Sequence, residues 1–283
     1  MTALLIDRET LYVGGQFDAV AGGARPGIAA FDVATGALSA WNPHEIDRQM
    51  NSVHGMLVAG DTVYVGVSFG FAGEGCQGLG GPRDSDWLVA IDATTRAAVR
   101  WCAGIRPVFA LAAVGDRVFA GGGWPDSGQR FLRVVSAATG VLGGWDSRPN
   151  GPVSSLVATG DGVLAGGFFS GLSSKPRHSG AAIDLDTGTL LPFELDHTEV
   201  FPAGGIDAMA TVGNSVFAAG DFVRIGGRRR RSLAKLDATT GRARRWDAHV
   251  GSGGRPHALA VWDHRLYAGG GFRRIGGRAR RGL

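Results

Sequence analysis

The chain has 283 residues and 48 of them are glycine, about 17% against a usual share near 7%. The glycines keep no G-X-Y register, hydrophobic residues reach 44% with 7 Trp and 14 Phe, and no apolar run approaches a membrane helix, which excludes collagen, low-complexity disorder and a helical membrane span. The net charge is only +4, but 16 basic and 4 acidic residues fall from Asp221 to Leu283, against 13 and 21 in the first 220.

In chain order, one aromatic or aliphatic, small, Gly-containing segment recurs. It reads Tyr12-Val-Gly-Gly15, Tyr64-Val-Gly-Val67, Phe119-Ala-Gly-Gly122, Leu164-Ala-Gly-Gly167, Phe217-Ala-Ala-Gly220 and Tyr267-Ala-Gly-Gly270, at steps of 52, 55, 45, 53 and 50 residues. A second segment follows the first five: Asp32-Val-Ala-Thr-Gly36, Asp92-Ala-Thr-Thr-Arg96, Ser136-Ala-Ala-Thr-Gly140, Asp184-Leu-Asp-Thr-Gly188 and Asp237-Ala-Thr-Thr-Gly241. Five residues later stands a large ring: Trp41, Trp101, Trp145, Phe193 and Trp246. The second repeat predicts four strands: a over Val53–Ala59, b over Thr62–Phe69, c over Trp87–Asp92 and d over Ala97–Trp101. Gly60-Asp61, Gly115-Asp116, Gly160-Asp161 and Gly213-Asn214 suit tight a–b hairpins because they tolerate positive φ. In the c–d turns, Asp and Thr side chains are placed to accept backbone N–H bonds, with Gly in the left-handed position.

Four antiparallel strands at this period predict an all-β fold, a β-propeller of five complete blades plus half of a sixth. A solenoid is the rival; the ring near the end of strand d favours the propeller, since it suits packing between adjacent blades. The chain reads as one domain over 1–283, with repeats at about 1–50, 51–105, 106–151, 152–205, 206–256 and 257–283. The sixth repeat carries strands a and b and stops where c should begin. The N-terminus starts at strand a and so cannot supply the missing pair. The expectation is a fragment of a longer propeller, or a partner that covers the open edge.

Tyr12-Val-Gly-Gly-Gln-Phe17, Gly22-Gly23 and Ile28-Ala-Ala-Phe-Asp32, echoed by Tyr267-Ala-Gly-Gly-Gly-Phe272 with Gly276-Gly277, resemble the YVGG-x-F (delta-sixty-like) repeats of bacterial, mostly exported, propeller proteins. The resemblance spans nearly the whole chain and implies a fold and an extracellular or cell-surface location, but no reaction. Met1-Thr-Ala-Leu-Leu-Ile-Asp7 is no signal peptide and reads as a strand, which leaves a cytoplasmic location open. More distantly, Ala30-x-Asp32-x-x-Thr35-Gly36 and Ala234-x-x-Asp237-x-x-Thr240-Gly241 resemble the tryptophan-docking motif of quinoprotein-like propellers, with kelch-like propellers as a further likeness. There Trp follows Gly by four residues and here by five. The likeness stops at the packing device, since no vicinal cysteine pair is present.

Strand order places the b–c and d–a connections on one face, where variable loops on a rigid scaffold make the candidate binding face. His44, His197 and His249 occupy equivalent d–a connections there, with His178, Arg228, Arg229, Arg231 and Arg278 in b–c loops. Arg25, Arg177, Arg230 and Arg280 recur at one repeat position and read as structural, pairing with a neighbouring blade's carboxylate or carbonyl. Cys76 and Cys102 fall on this face of the second repeat, either as one disulfide or as two thiols. Asp7, Asp207 and Asp263 lie at or beside the a strands and read as strand ends near tight turns. No P-loop, EF-hand or His-x-x-x-His pattern occurs, and no glycine pair opens a helix that could hold phosphate, so the sequence nominates no catalytic residue, cofactor or metal site. The functional expectation is a non-enzymatic interaction or adhesion module for protein or carbohydrate. A polysaccharide hydrolase or lyase and a structural spacer are the alternatives. The Arg-rich end suits an anionic polymer, and the absence of interleaved aromatics argues against nucleic acid.

Overall fold

The computed structural model describes residues 3–43, 53–67, 88–95, 98–99, 103, 105, 107–124, 129–160, 162–195, 204–263 and 265–280. His44, His197, Cys76, Cys102 and Trp101 lie outside them. The described residues form an all-β structure in which every strand pairing is antiparallel. Two compact units partition the chain: Met1–Gly123 with Arg133–Gly144, and Trp124–Leu132 with Trp145–Leu283.

In the first unit, repeat 1 comprises β1 (Ala3–Asp7), β2 (Thr10–Gly14), a small hairpin β3 (Ala19–Val20) and β4 (Gly23–Ala24), and β5 (Ile28–Asp32), with sheet order β1-β2-β5. Repeat 2 orders β6 (Val53–Ala59), β7 (Thr62–Val67), β8 (Leu88–Asp92) and β9 (Ala98–Val99) into one sheet. Repeat 3 does the same with β10 (Val108–Val114), β11 (Arg117–Gly123), β12 (Arg130–Ser136) and β13 (Leu142–Asp146), of which residues 130–132 and 145–146 belong to the second unit. In the second unit, repeat 4 has β14 (Val153–Ala158), β15 (Val163–Gly167), the hairpin β16 (Gly171–Leu172) and β17 (Lys175–Pro176), and β18 (Gly180–Ile183). Repeat 5 has β19 (Ile206–Val212), β20 (Ser215–Gly220), β21 (Arg224–Ile225), β22 (Arg228–Arg229), β23 (Leu233–Asp237) and β24 (Ala243–Asp247). Repeat 6 has β25 (Pro256–Trp262), β26 (Arg265–Gly270), β27 (Arg274–Ile275) and β28 (Arg278–Ala279).

Strand d is weaker than expected in two repeats. Repeats 1 and 4 have three-stranded sheets, and the fourth segment makes single bridges, Phe31 to Leu38 and Ile183 to Leu190. In repeat 4 the reason is Pro192, which has no N–H for a ladder. The next amide bonds locally, Phe193 N to Leu191 O at 2.8 Å. One a–b turn also departs: Ala158 pairs with Val163, so four residues separate the strands at Gly160-Asp161, while Ala59 pairs with Thr62 and Val212 with Ser215 across two.

The c–d turns have the expected chemistry. Thr35 N and Oγ1 both donate to Asp32 Oδ1 at 2.7 Å, and Thr240 repeats this on Asp237 at 2.9 and 3.0 Å. These bonds hold the Asp32 carboxyl below its ordinary value. Burial alone would raise Asp237, but its bonds from Thr240 and the nearby Arg244 outweigh it and lower the pKa.

Sheets pack face to face in sequence order within each unit, with one core joining repeats 1 and 2 and another joining repeats 4 and 5. This packing explains the first glycine of the recurrent b segment. A Cβ on Gly66 would lie 2.6 Å from Val108 Cγ1, and one on Gly166 2.7 Å from Ile206 Cγ2, so glycine there lets the next sheet's strand a approach. The rings of strand d divide their contacts. Trp41 lies edge-on to Tyr12 of its own sheet at 5.3 Å and joins the core that reaches Val53, Val65 and Ile91 of repeat 2. Phe193, 1% exposed, packs into the core shared with repeat 5. Trp145 covers Gly188 in the c–d turn of repeat 4. Trp246 stays half-exposed, edge-on to Phe217 of its own sheet at 5.2 Å.

Candidate functional site

The b–c connections of repeats 1, 4, 5 and 6 are small hairpins. Their turns are Ala21-Gly22, Ser173-Ser174, Gly226-Gly227 and Gly276-Gly277, each with both residues at positive φ. That is the type I′ requirement, which Gly-Gly meets without strain. In repeat 1 the Gly22-Gly23 pair stands one residue late, since Gly23 already belongs to β4. Backbone bonds pin the hairpins to the connection leaving the preceding sheet. Ser173 N donates to Ser147 O at 2.7 Å, and Gly276 N to Ala248 O at 2.7 Å. Asn150 Oδ1 accepts from Ser170 N and Gly171 N, both at 2.9 Å.

In repeats 1, 4 and 5 the recurring arginine holds the hairpin to the outer segment of its own repeat. Arg230 is the fullest case: Nε donates to Trp246 O at 2.9 Å, Nη2 to Arg244 O and Arg245 O at 3.0 and 3.1 Å, and Nη1 reaches Asp247 Oδ2 at 3.4 Å. Arg25 Nη2 donates to Ser39 O at 3.0 Å, and Arg177 pairs with Glu194 at 3.3 Å. The expected partner, a neighbouring sheet, is thus corrected to the residue's own sheet, because the hairpin folds back across its outer strand. Arg280 occupies the same place in repeat 6 and is exposed.

At the junction of repeats 4 and 5 this arrangement borders an open cleft of about 790 Å³. Pro192 and Glu194 line one side, and Gly226, Arg228, Thr240 and Arg242 line the other. Arg228 Nε donates to Ala243 O at 3.1 Å, which fixes its stem, while Arg242 is exposed. Of the described residues nominated from sequence, only Arg228 lines the cleft. Arg229, Arg231, Arg278 and His178 are exposed around the hairpins. His249, also exposed, has positive φ and lies beside Asp247, which accepts its backbone N–H at 2.8 Å. Among the described residues no three His, Cys, Asp or Glu side chains converge as a metal site.

A second polar feature went unrecognised in the sequence. Strand a carries a β-bulge at its second position in repeats 2 to 6, at His54, Phe109, Ser154, Asp207 and His257. Bulges re-aim a side chain, and here they bring residues of successive repeats together. In the first unit His54 lies edge-on to Phe109 at 5.1 Å, and burial lowers its pKa, keeping the ring neutral. In the second unit Ser154 Oγ donates to Ile206 O, and Asp207 Oδ2 receives Arg255 Nε at 2.6 Å and His257 Nδ1 at 3.3 Å. Arg255 Nη1 also reaches Asp221 at 3.4 Å. Asp207 is therefore no turn residue: it sits at the end of strand a away from the a–b hairpin, unlike Asp7 and Asp263. Aligning the second residue of every strand a would have found the row, since its neighbours repeat and it does not.

No family model matches, and no curated protein matches either. Among solved structures, the designed Ika8 protein aligns at 18% identity over 94% of this chain and 67% of its own, with a TM-score of 0.58. The extracellular domain of a hybrid two-component system from B. thetaiotaomicron aligns at 13% identity over 95% of this chain, which spans 30% of that protein, with a TM-score of 0.59. A mitotic checkpoint complex chain aligns at 15% identity over 93% of this chain and 67% of its own, with a TM-score of 0.57. These neighbours have β-propeller-like folds, and at such identities the likeness establishes fold alone. No helix of the described residues is long and apolar enough to cross a membrane.

Proposed function

We propose that the chain is a non-enzymatic interaction module, a β-propeller of five blades and half of a sixth, of the exported, delta-sixty-like kind. It takes a protein or carbohydrate ligand on the face formed by its b–c hairpins and d–a connections. The observation that carries this reading is the cleft of about 790 Å³ between Glu194 and Arg228. Its size falls in the ~300–1,000 Å³ range of small-ligand sites. Hairpins tied down by backbone bonds make its walls rigid, so a ligand would cost little ordering of the protein.

The test is a panel of immobilised glycans and proteins probed with the whole chain and with Glu194→Trp. Glu194 has an exposed side chain at the rim, so an indole there fills the cleft with little cost to the core. Binding by the parent chain that the Trp variant loses supports the reading. Binding unchanged by the Trp variant sends the search to another surface.

A second reading, a polysaccharide hydrolase or lyase, draws on the Asp207–His257 pair, in which His257 meets the carboxylate through Nδ1 and its side chain is 54% exposed. It expects reducing ends or an unsaturated product from polysaccharide incubated with the chain, and none with Asp207→Asn.

A further inference from the structure

We infer that the cleft between repeats 4 and 5 binds the acidic groups of a polysaccharide, carboxylate or sulfate, through Arg228 and Arg242. This rests on the cleft being the binding site of the module. Among the described residues its lining holds two guanidinium groups against one carboxylate, and that carboxylate, Glu194, is already paired with Arg177 at 3.3 Å. Little of its charge is left to offset the two arginines, so the described lining carries net positive charge. Among the described residues Arg228 spends only Nε, on Ala243 O, and both terminal nitrogens remain for a planar, two-oxygen partner. Arg242 is held through its backbone, with its N–H on Thr240 Oγ1 at 3.4 Å and its carbonyl accepting from Asp237 N at 2.9 Å. One fixed fork and a second arginine anchored at its backbone, on the same wall, suit anionic groups repeated along a chain.

The other anionic ligands fit less well. Among the described residues no aromatic ring lines the cleft, so they offer neither nucleobases nor the faces of neutral sugars a stacking surface. An acidic peptide would dock most readily by adding a strand to the outer edge of the sheet. On β24 the carbonyls of Arg244, Arg245 and Trp246 are taken by Arg230. That leaves charge on a sugar backbone as the recognised chemistry.

The experiment titrates the whole chain by calorimetry with heparin and polygalacturonate oligosaccharides, with dextran, polyglutamate and a short DNA duplex as comparators. The variants are Arg228→Gln, Arg242→Gln, the double variant and Glu194→Trp, with Arg265→Gln on β26 as the surface-charge control. Circular dichroism and thermal melts show that each is folded. Acidic oligosaccharides should bind and dextran should not. Each Gln variant should weaken binding about tenfold and lower the slope of log K against log salt by about one. The control should change neither. Acidic-sugar binding lost in the Trp variant but untouched by both Gln variants overturns the arginine assignment and leaves the cleft as the site. Binding untouched by the Trp variant as well overturns both. DNA or polyglutamate bound as tightly as the acidic sugars, or dextran bound equally well, overturns the ligand class.

Discussion

Gly36, Gly140, Gly188 and Gly241 occupy the same place in the c–d turn, yet alanine should cost very different amounts at three of them. Gly36, Gly188 and Gly241 share φ values of 69°, 68° and 75°. An added Cβ meets nothing within 4 Å at Gly36, Glu194 O at 2.3 Å at Gly241, and Trp145 Nε1 at 1.4 Å at Gly188. Left-handed backbone costs an L-residue about 1–2 kcal/mol, partly offset by about 0.4–1 kcal/mol from a stiffer unfolded chain. Gly36→Ala should therefore cost on the order of 1 kcal/mol or less. Gly241→Ala adds a backbone clash that forces repeats 4 and 5 apart, about 1–3 kcal/mol more. Gly188→Ala must expel the Trp145 ring, and its upper bound is the ~3–5 kcal/mol of losing a packed Trp. The assay is urea unfolding followed by tryptophan fluorescence, with each midpoint read on the transition of the unit that carries the change and the slope held constant. Equal losses at all three glycines, within about 0.5 kcal/mol, would mean that the repeats do not approach as described, and the account of sheet-to-sheet packing would fall with them.

Other outcomes follow from the same contacts. Arg230→Lys should cost about 2–3 kcal/mol, because an ammonium cannot span three carbonyls and a carboxylate, whereas Arg280→Lys should cost under about 0.5 kcal/mol; thermal melts of both compare them. Asp32, Asp92 and Asp237 have folded pKa values below 3.8, so their stabilisation is complete above the unfolded value and fades as pH falls through the lower folded one. Asp237→Asn should accordingly flatten the loss of stability below about pH 4, and an acid titration as steep as the parent's would contradict that linkage. Arg255→Met should cost about 1–3 kcal/mol by leaving the 13%-exposed Asp207 without its shortest partner. Faster hydrogen exchange along β19 and β25 would report it; unchanged exchange would argue against the contact.

Much of the strand plan can be read from spacing. Val53–Ala59 is strand a to the residue, and the Asp-x-x-Thr-Gly turn carries its own hydrogen-bonding logic within five residues. Such local chemistry is legible because both partners are neighbours in the chain. The b–c hairpins were not legible, since Ala21-Gly22 and Ser173-Ser174 lack a shared residue pattern and are unified only by positive φ at both positions. Arg230 was recognisable as structural by its recurrence, but its acceptors lie 14 to 17 residues away and depend on how the hairpin folds.

The sequence by itself therefore determined the period, the strand alternation and the turn residues, because hydrophobic spacing and turn chemistry act over a few residues. Only the tertiary structure decided that the strand-b glycines answer to Val108 and Ile206 of the next sheet. It likewise joined Asp207 to Arg255 and His257, 48 and 50 positions further on, and set Glu194 across a cleft from Arg228. These are contacts between repeats, fixed by close packing of one sheet on the next and invisible to any pattern within a single repeat.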